Sequence, residues 1–142
     1  MTKPIYIING PNLNLLGSRE PEIYGHETLA DIEAMCRGAA GERGIVFSQH
    51  NSEGAIIDQF HKARGYGSAV LINPAGYTHT SVAILDAIKA LDIPVIEIHL
   101  SQPAAREDFR AHSYVAMGAK GTISGFGAQS YLLGLQAALN LV

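Results

Sequence analysis

The amino-acid sequence predicts an α/β fold in which a parallel β-sheet lies between two layers of helices. Short runs of β-branched residues alternate along the chain with longer segments of helical periodicity. The strand-like runs are almost continuously apolar, as expected for parallel strands covered on both faces. The chain has 142 residues, of which 47% are hydrophobic. We therefore expect one domain, residues 1–142, with a sizeable core.

Five segments have the composition of strands. They are Pro4 to Asn9, Gly44 to His50, Ser68 to Asn73, Ile93 to His99 and, more weakly, Lys120 to Ser124. The alternation of strands and helices at this spacing predicts right-handed crossovers and a doubly wound three-layer sandwich. For a chain of this length, the predicted fold is flavodoxin-like with a five-stranded parallel sheet.

The segments between these strands have helical periodicity. A first helix follows Thr28, which together with Asp31 resembles a capping box. A second is capped by Ser52 and is expected to stop at Gly65. The remaining two carry the apolar positions Ile84, Leu85, Ile88 and Leu91, and the stretch from about Ala128 to Leu141.

Composition and motifs exclude several classes of function. The net charge is −3 without a Lys/Arg cluster, so neither a nucleic acid nor an anionic membrane is an expected partner. A single cysteine, Cys36, excludes an internal disulfide framework. The six histidines lack metal-ligand spacing, and no dinucleotide or Walker glycine motif is found, so no metal or cofactor is expected. The apolar runs are short and the amino terminus lacks signal-peptide features, which predicts a cytoplasmic protein.

The connection after the first strand is a candidate lid over the ligand site. Ligands of such sheets bind beyond the carboxyl ends of the strands. About 18 residues separate the first strand from Thr28, whereas such loops usually have ~2–6. Arg19 and Tyr24 share this segment, and a nearby guanidinium favours phenolate over phenol. Tyr24 is therefore either a base that removes a proton from carbon or simply a packing residue.

The connections after the third and fourth strands carry the other polar candidates. Glu97 and His99 point to one face of a strand, where the carboxylate can orient the imidazole for general acid catalysis or form a structural ion pair. Asn73 and His79 bracket a Pro-Ala-Gly turn. Further candidates are Asp86, which interrupts an apolar helix, and Arg106 and Arg110, which either form local ion pairs or bind a substrate carboxylate.

Four motifs in order resemble the type II 3-dehydroquinate dehydratase family over essentially the whole chain. The first combines Asn9-Gly-Pro-Asn-Leu-Asn-Leu-Leu-Gly with Arg19-Glu-Pro and Tyr24-Gly. The others are Asn73-Pro-Ala-Gly-Tyr-Thr-His-Thr-Ser, Glu97-Ile-His-Leu-Ser and Arg110-Ala-His-Ser-Tyr. The resemblance implies reversible anti dehydration of 3-dehydroquinate to 3-dehydroshikimate through an enolate, in the shikimate or quinate route, without metal or cofactor.

The resemblance also implies residue roles. Tyr24 would remove the C2 proton, with Arg19 holding it as phenolate, and Asn12 would position a water against the enolate oxygen. His99, oriented by Glu97, would protonate the departing C1 hydroxyl. The positions that match the family's substrate-binding set are Asn73, His79, Leu100, Ser101 and Arg110.

Asp86 matches a residue that a neighbouring subunit inserts into the site, which implies a dodecamer of four trimers. One departure from the family pattern falls at Gln102 and Pro103, where the family usually has Asn followed by an apolar residue. We expect this difference to affect substrate affinity rather than the chemistry of Tyr24 and His99.

Two alternatives stay open at this point. A flavodoxin-like module could bind a flavin or nucleotide, although the loop after the first strand is more apolar than a phosphate-binding loop. A catalytically inactive scaffold with the same fold would assemble normally and turn over no substrate.

Overall fold

The computed structural model describes residues 2–142 and contains the predicted five-stranded parallel sheet. Its strands are β1 (Ile5–Asn9), β2 (Ile45–Gln49), β3 (Ala69–Asn73), β4 (Val95–His99) and β5 (Gly121–Ser124). All neighbouring strands pair in parallel in the order β2-β1-β3-β4-β5. This order confirms the flavodoxin-like prediction. No helix within residues 2–142 is long and apolar enough to cross a membrane.

Helices cover both faces of the sheet. They are α1 (Pro21–Tyr24), α2 (Leu29–Ala40), α3 (Glu53–Tyr66), α4 (Val82–Lys89) and α5 (Gln129–Leu141). The capping box before α2 is confirmed, because Thr28 accepts from the backbone N–H of Asp31 and Asp31 accepts from the backbone N–H of Thr28. Ser52 likewise caps α3 by accepting from the N–H of Ala55.

Two predicted helix ends were wrong by one or two residues. Helix α3 continues past Gly65 to Tyr66, because the N–H of Gly67 still bonds to the carbonyl of Ala63. Helix α4 ends at Lys89, and Leu91 lies in the tighter turn that follows. Such ends depend on local hydrogen bonds that periodicity alone does not reveal.

The long connection after β1 is partly ordered and anchored in the core. It contains a 3-10 turn at Leu13–Leu15 and the four-residue helix α1. Leu13 and Leu16 are buried among the side chains under α2 and α5. This burial holds the start of the connection down, so that its later part, which carries Arg19 and Tyr24, extends over the carboxyl edge of the sheet.

The core consists of two clusters separated by the sheet. Ile5 and Ile7 of β1 face α2 and α5, whereas Tyr6 and Ile8 face α3 and α4. Successive side chains of a strand point to opposite faces, so a strand covered on both sides must be apolar throughout. This explains why β1 and β3 are apolar up to their last residue, whereas β4 carries Glu97 and His99 among apolar neighbours.

A close backbone approach aligns the ends of β1 and β3. The N–H of Gly10 donates to the carbonyl of Asn73 at 2.8 Å. A Cβ atom on Gly10 would lie 2.6 Å from the carbonyl oxygen of Pro74. Because backbone atoms cannot rotate aside, only glycine permits this contact. The contact holds the carboxyl ends of β1 and β3 side by side.

Replacing Gly10 with alanine should therefore destabilise the fold. We expect Gly10→Ala to lower the free energy of unfolding by about 1–3 kcal/mol, as overpacking of a tight contact does. Gly38→Ala is the matched control, because Gly38 lies in α2 with open space around its Cα. That change should raise stability by about 0.5–1 kcal/mol through helix propensity. Urea unfolding followed by circular dichroism measures both, and equal effects would contradict the close-approach argument.

Candidate active site

A polar cavity of about 160 Å³ opens at the carboxyl ends of the central strands. It is lined by four of the residues predicted to take part in chemistry, Asn12, Arg19, Tyr24 and His99. Five of the six predicted substrate-binding residues line it as well, namely Asn73, His79, Leu100, Ser101 and Arg110, whereas Asp86 does not. The chain thus brings together residues that are up to 98 positions apart, from Asn12 to Arg110. Their individual roles stay predictions.

Tyr24 lies close to two guanidinium groups. The Cζ atom of Arg19 is 5.0 Å from the centre of the Tyr24 ring, and that of Arg106 is 5.3 Å from it. Arg106 also donates from Nη1 to Ser101 Oγ at 3.2 Å. The ring of Tyr24 also packs against the core. Tyr24 therefore combines a packing contact with a place in the cavity beside two guanidinium groups.

Sequence reasoning left Arg106 open between a local ion pair and a substrate contact. Its spacing from Arg110 and the acidic residues between them pointed equally to surface ion pairs. Glu107 does contact both arginines, at 4.0 Å from Arg106 Nε and 3.0 Å from Arg110 Nε. The signal that would have placed Arg106 is its position in the connection after β4, since such connections line the crevice.

His99 and Glu97 form a buried hydrogen-bonded pair at the floor of the cavity. His99 Nε2 faces Glu97 Oε2, and because a carboxylate only accepts, Nε2 carries a hydrogen. The other ring nitrogen, Nδ1, remains for the cavity. Glu97 itself lies behind His99 and does not line the cavity. This geometry suits an imidazole that exchanges a proton with a ligand through Nδ1.

Glu97 is held in its ionised form. Burial by itself would raise the pKa of Glu97, whose side chain is only 1% exposed. Hydrogen bonds and charge from His99, together with hydrogen bonds from Thr78 and Ser113 at 2.9 Å each, outweigh that effect and lower the pKa below its ordinary value. The negative charge therefore persists behind His99 at neutral pH.

A buried hydrogen-bond chain orients Asn73. Tyr131 of α5 donates to Asn9 Oδ1 at 2.6 Å and accepts from Asn73 Nδ2 at 2.8 Å. Burial raises the pKa of Tyr131, so its hydroxyl stays protonated and can serve as both donor and acceptor. Asn73 Oδ1 also accepts from the backbone N–H of Ala75 at 3.2 Å. Sequence reasoning missed Asn9 and Tyr131, because one lies inside an apolar strand and the other in an apolar helix.

The remaining predicted residues lie at the mouth of the cavity or away from it. His79 Nδ1 donates to the carbonyl of His112 at 2.8 Å, which leaves Nε2 as its free ring nitrogen. Asn12 has a left-handed backbone, with φ 71°, and its N–H donates to Asn51 Oδ1 at 3.1 Å. Asp86 is on the exposed side of α4 and does not line the cavity of its own chain.

Residues 2–142 contain no group of three or more His, Cys, Asp or Glu side chains arranged to hold a metal ion. Cys36 is fully buried in α2, and burial raises the pKa of its thiol to about 11. It lies outside the cavity.

Together, the sheet order and the cavity define a flavodoxin-like α/β protein with a polar, arginine-lined cavity of a size for a small molecule. The family model described as class II dehydroquinase matches residues 3–139. The chain belongs to this class II dehydroquinase family.

Individual relatives are similar over nearly their full length. The 3-dehydroquinate dehydratase of Caulobacter vibrioides is 59% identical over 144 residues, which cover 100% of this chain and 99% of that protein. The crystal structure of a type II dehydroquinase from Propionibacterium acnes superposes with a TM-score of 0.92 at 42% identity, covering 96% of each chain. A 3-dehydroquinate dehydratase-like protein from Bifidobacterium longum has a TM-score of 0.74 and 29% identity, covering 99% of this chain and 98% of that one.

The ionised state of Glu97 predicts a pH-dependent contribution to stability. A carboxyl whose pKa is lowered in the folded state stabilises the fold above its ordinary value of 4.5. That contribution is lost as the pH falls through the lower folded value. Glu97→Gln should lower the free energy of unfolding by about 1–3 kcal/mol at neutral pH. The amide NH₂ group of glutamine would face hydroxyl groups that donate to the carboxylate in the wild type. The difference from wild type should shrink below about pH 4.5. Urea unfolding of both proteins between neutral pH and pH values below about 4.5 measures this difference. Parallel curves of stability against pH would refute the ionised state of Glu97.

Proposed function

We propose that this protein is a type II 3-dehydroquinate dehydratase, a lyase that reversibly converts 3-dehydroquinate to 3-dehydroshikimate in the shikimate pathway or in quinate breakdown. The observation that carries the proposal is one cavity holding Tyr24 near two guanidinium groups and His99 backed by an ionised carboxylate. Membership of the class II dehydroquinase family and relatives near 59% identity support it.

The first chemical step is removal of a proton from carbon 2 of the substrate. The Tyr24 phenolate accepts this proton, and the C–H electron pair moves into the adjacent carbonyl to form an enolate. The guanidinium groups of Arg19 and Arg106 lie beside the Tyr24 ring, where this proton is accepted. The adjacent ketone acidifies the proton by delocalising the resulting charge, so the chemistry requires neither a metal nor a cofactor.

Charge on the enolate oxygen must be stabilised as it develops. Asn12 lies at the mouth of the cavity and positions a water molecule toward this oxygen. Preorganised hydrogen-bond donors at such a position are worth several kcal/mol, about 3 to 4 for one donor in a known case. The left-handed backbone of Asn12 directs the chain around the cavity at this point.

His99 completes the elimination. In its imidazolium form, it donates the Nδ1 proton to the hydroxyl on carbon 1, which leaves as water. The enolate then collapses, a double bond forms between carbons 1 and 2, and the ketone is restored. Glu97 stays ionised and neutralises the imidazolium. Proton exchange with water returns Tyr24 and His99 to their starting states.

The basic cavity suits an anionic, polyhydroxylated substrate. The guanidinium groups of Arg19, Arg106 and Arg110 all line it and favour a carboxylate. We assign Arg110 and the backbone of Leu100 and Ser101 to the carboxylate and a neighbouring hydroxyl. Asn73 and His79 bind further hydroxyls, His79 through its free Nε2.

The departure at Gln102 and Pro103 changes this region in a specific way. Gln102 Oε1 accepts from Ser124 Oγ at 2.6 Å, so its amide is engaged with β5 and does not line the cavity. Pro103 does line it and begins a 3-10 turn. The flavin or nucleotide alternative is not favoured, because the loop after β1 uses Leu13 and Leu16 for packing in the core.

Conversion of 3-dehydroquinate by the purified protein tests the proposal directly. The conjugated product absorbs in the ultraviolet, so its formation can be followed continuously. We expect turnover after dialysis against a metal chelator and in the presence of borohydride, which would trap an imine. Loss of activity under either treatment would indicate different chemistry. A folded protein without turnover would support the inactive scaffold instead.

Tyr24→Phe should abolish turnover, with a decrease in kcat of at least about 10³-fold. Removal of the phenol oxygen removes the base, whereas phenylalanine keeps the ring that packs against the core. Tyr66→Phe is a matched control, because Tyr66 is 71% exposed at the end of α3. Near-normal activity of Tyr24→Phe would exclude Tyr24 as the base.

We further propose that the protein is cytoplasmic and assembles as a dodecamer of four trimers, in which Asp86 reaches the site of a neighbouring subunit. Asp86 shares the exposed side of α4 with Val82, which is 50% exposed although it is apolar. Residues four apart lie on one helix face, so an apolar and an acidic side chain are presented together. A basic cavity in a second copy offers a complementary partner for the carboxylate.

Mixed assemblies test the cross-subunit role of Asp86. Asp86→Ala should raise KM, and co-assembly with Tyr24→Phe chains, which retain Asp86, should return the KM of the active sites toward the wild-type value. Asp92→Ala is the matched control, because Asp92 is exposed just beyond α4. If the kinetics of the mixed assemblies equal the average of the two separate variants, without recovery of KM, Asp86 does not act across subunits.

A further inference from the structure

The Glu97 carboxylate is surrounded by hydroxyl groups that the proposed reaction does not use. Oε2 accepts from Thr78 Oγ1 and from Ser113 Oγ at 2.9 Å each, in addition to His99. The two hydroxyls also contact one another at 2.6 Å. Thr122 Oγ1 donates to Oε1 at 3.1 Å. We call Thr78, Ser113 and Thr122 the hydroxyl cage.

The hydroxyl cage draws on three separate parts of the chain. Thr78 belongs to the turn after β3, Ser113 precedes the 3-10 turn at Val115–Met117, and Thr122 is on β5. Together with His99, these hydroxyls satisfy the acceptor sites of the buried carboxylate. The hydroxyl cage therefore limits the rotation of the carboxylate and favours its charged form.

Thr122 occupies a distinct place in the hydroxyl cage. Within residues 2–142, it is the one side chain that donates to Oε1, whereas Oε2 has three partners. Thr122 is also the cross-strand partner of Glu97 in the β4–β5 register. A shift of one residue would place Gly121 or Ile123 beside Glu97, and neither side chain can donate.

The orientation of Glu97 decides which nitrogen of His99 reaches the cavity. The hydrogen bond to Oε2 requires a hydrogen on Nε2 and leaves Nδ1 for the ligand. If the carboxylate rotated, the imidazole would lose the acceptor that sets its orientation. Comparable partners behind metal-binding histidines change activity by about 10- to 100-fold when they are removed.

We propose that Thr122, acting with Thr78 and Ser113, is a positioning residue that holds the Glu97 carboxylate so that His99 presents Nδ1 to the cavity. The contribution of Thr122 to turnover rests on the proposed dehydratase function, whereas its effect on His99 does not. The three residues of the hydroxyl cage do not line the cavity that holds Tyr24. Its influence passes through Glu97 and then His99 to the protonation of the leaving hydroxyl.

Thr122→Val is the principal test, because valine keeps the shape and strand preference of threonine without its hydroxyl. We expect kcat to fall by about 10- to 100-fold with little change in KM, since ground-state binding is untouched. Thr122→Ser restores a hydroxyl and should recover most of the loss. Thr80→Val is the matched control, because Thr80 is exposed and lies outside the hydroxyl cage.

A second measurement observes His99 without any turnover. Nitrogen-15 NMR of imidazole-labelled protein distinguishes the two neutral tautomers, and His99→Gln identifies the His99 signals. Substrate-free wild type should show hydrogen at Nε2, and Thr122→Val should shift this signal or mix the tautomers. Thr80→Val should leave it unchanged.

The outcomes separate the two proposals. Unchanged kcat and unchanged His99 signals in Thr122→Val overturn the positioning role, as does a change in KM alone. If the wild type has no activity but Thr122→Val alters the His99 signals, the dehydratase function fails and the hydroxyl cage stands. If Thr122→Val does not fold, Ser113→Ala takes its place in the kinetic and NMR measurements, because it removes another hydroxyl that donates to Glu97.

Discussion

The whole site depends on the parallel pairing of β1, β3 and β4. Parallel neighbours end at the same edge, and the register here places Asn9 directly beside Asn73. The close contact at Gly10 keeps these ends level, and the Tyr131 hydroxyl bonds to both asparagines. A slip of one residue would turn the asparagines toward the opposite face of the sheet. The apolar core therefore determines where the polar groups of the cavity meet.

A second feature is the separation of positive and negative charge across His99. The cavity contains three guanidinium groups, from Arg19, Arg106 and Arg110, on the side where an anionic substrate enters. The buried carboxylate of Glu97 lies on the other side. Burying a charge is costly unless it is paired and hydrogen-bonded, and the surrounding hydroxyls together with His99 meet that requirement. The pair thus holds a negative charge directly behind an imidazole that lines the cavity.

The fold was largely predictable from the sequence, because its signals are local. Short, mostly apolar runs identified the buried strands, including the three that carry the site, and the capping residues Thr28 and Ser52 identified two helix starts. The errors at Gly65 and Leu91 arose because helix ends are decided by single hydrogen bonds. The partial order of the long first connection was also missed, since it depends on burial of Leu13 and Leu16 against distant helices.

The sequence by itself determined the class of fold and the edge at which the site lies, because topology places every connection after a strand at one edge. Its resemblance to a known family then added several of the side chains that line the cavity. Only the tertiary structure decided how those side chains act on one another. The approach of Arg106 to Tyr24, the asparagine–tyrosine chain through Tyr131 and the donors around Glu97 join residues from different elements. Such contacts depend on distances and directions in space, which neither periodicity nor spacing along the chain contains.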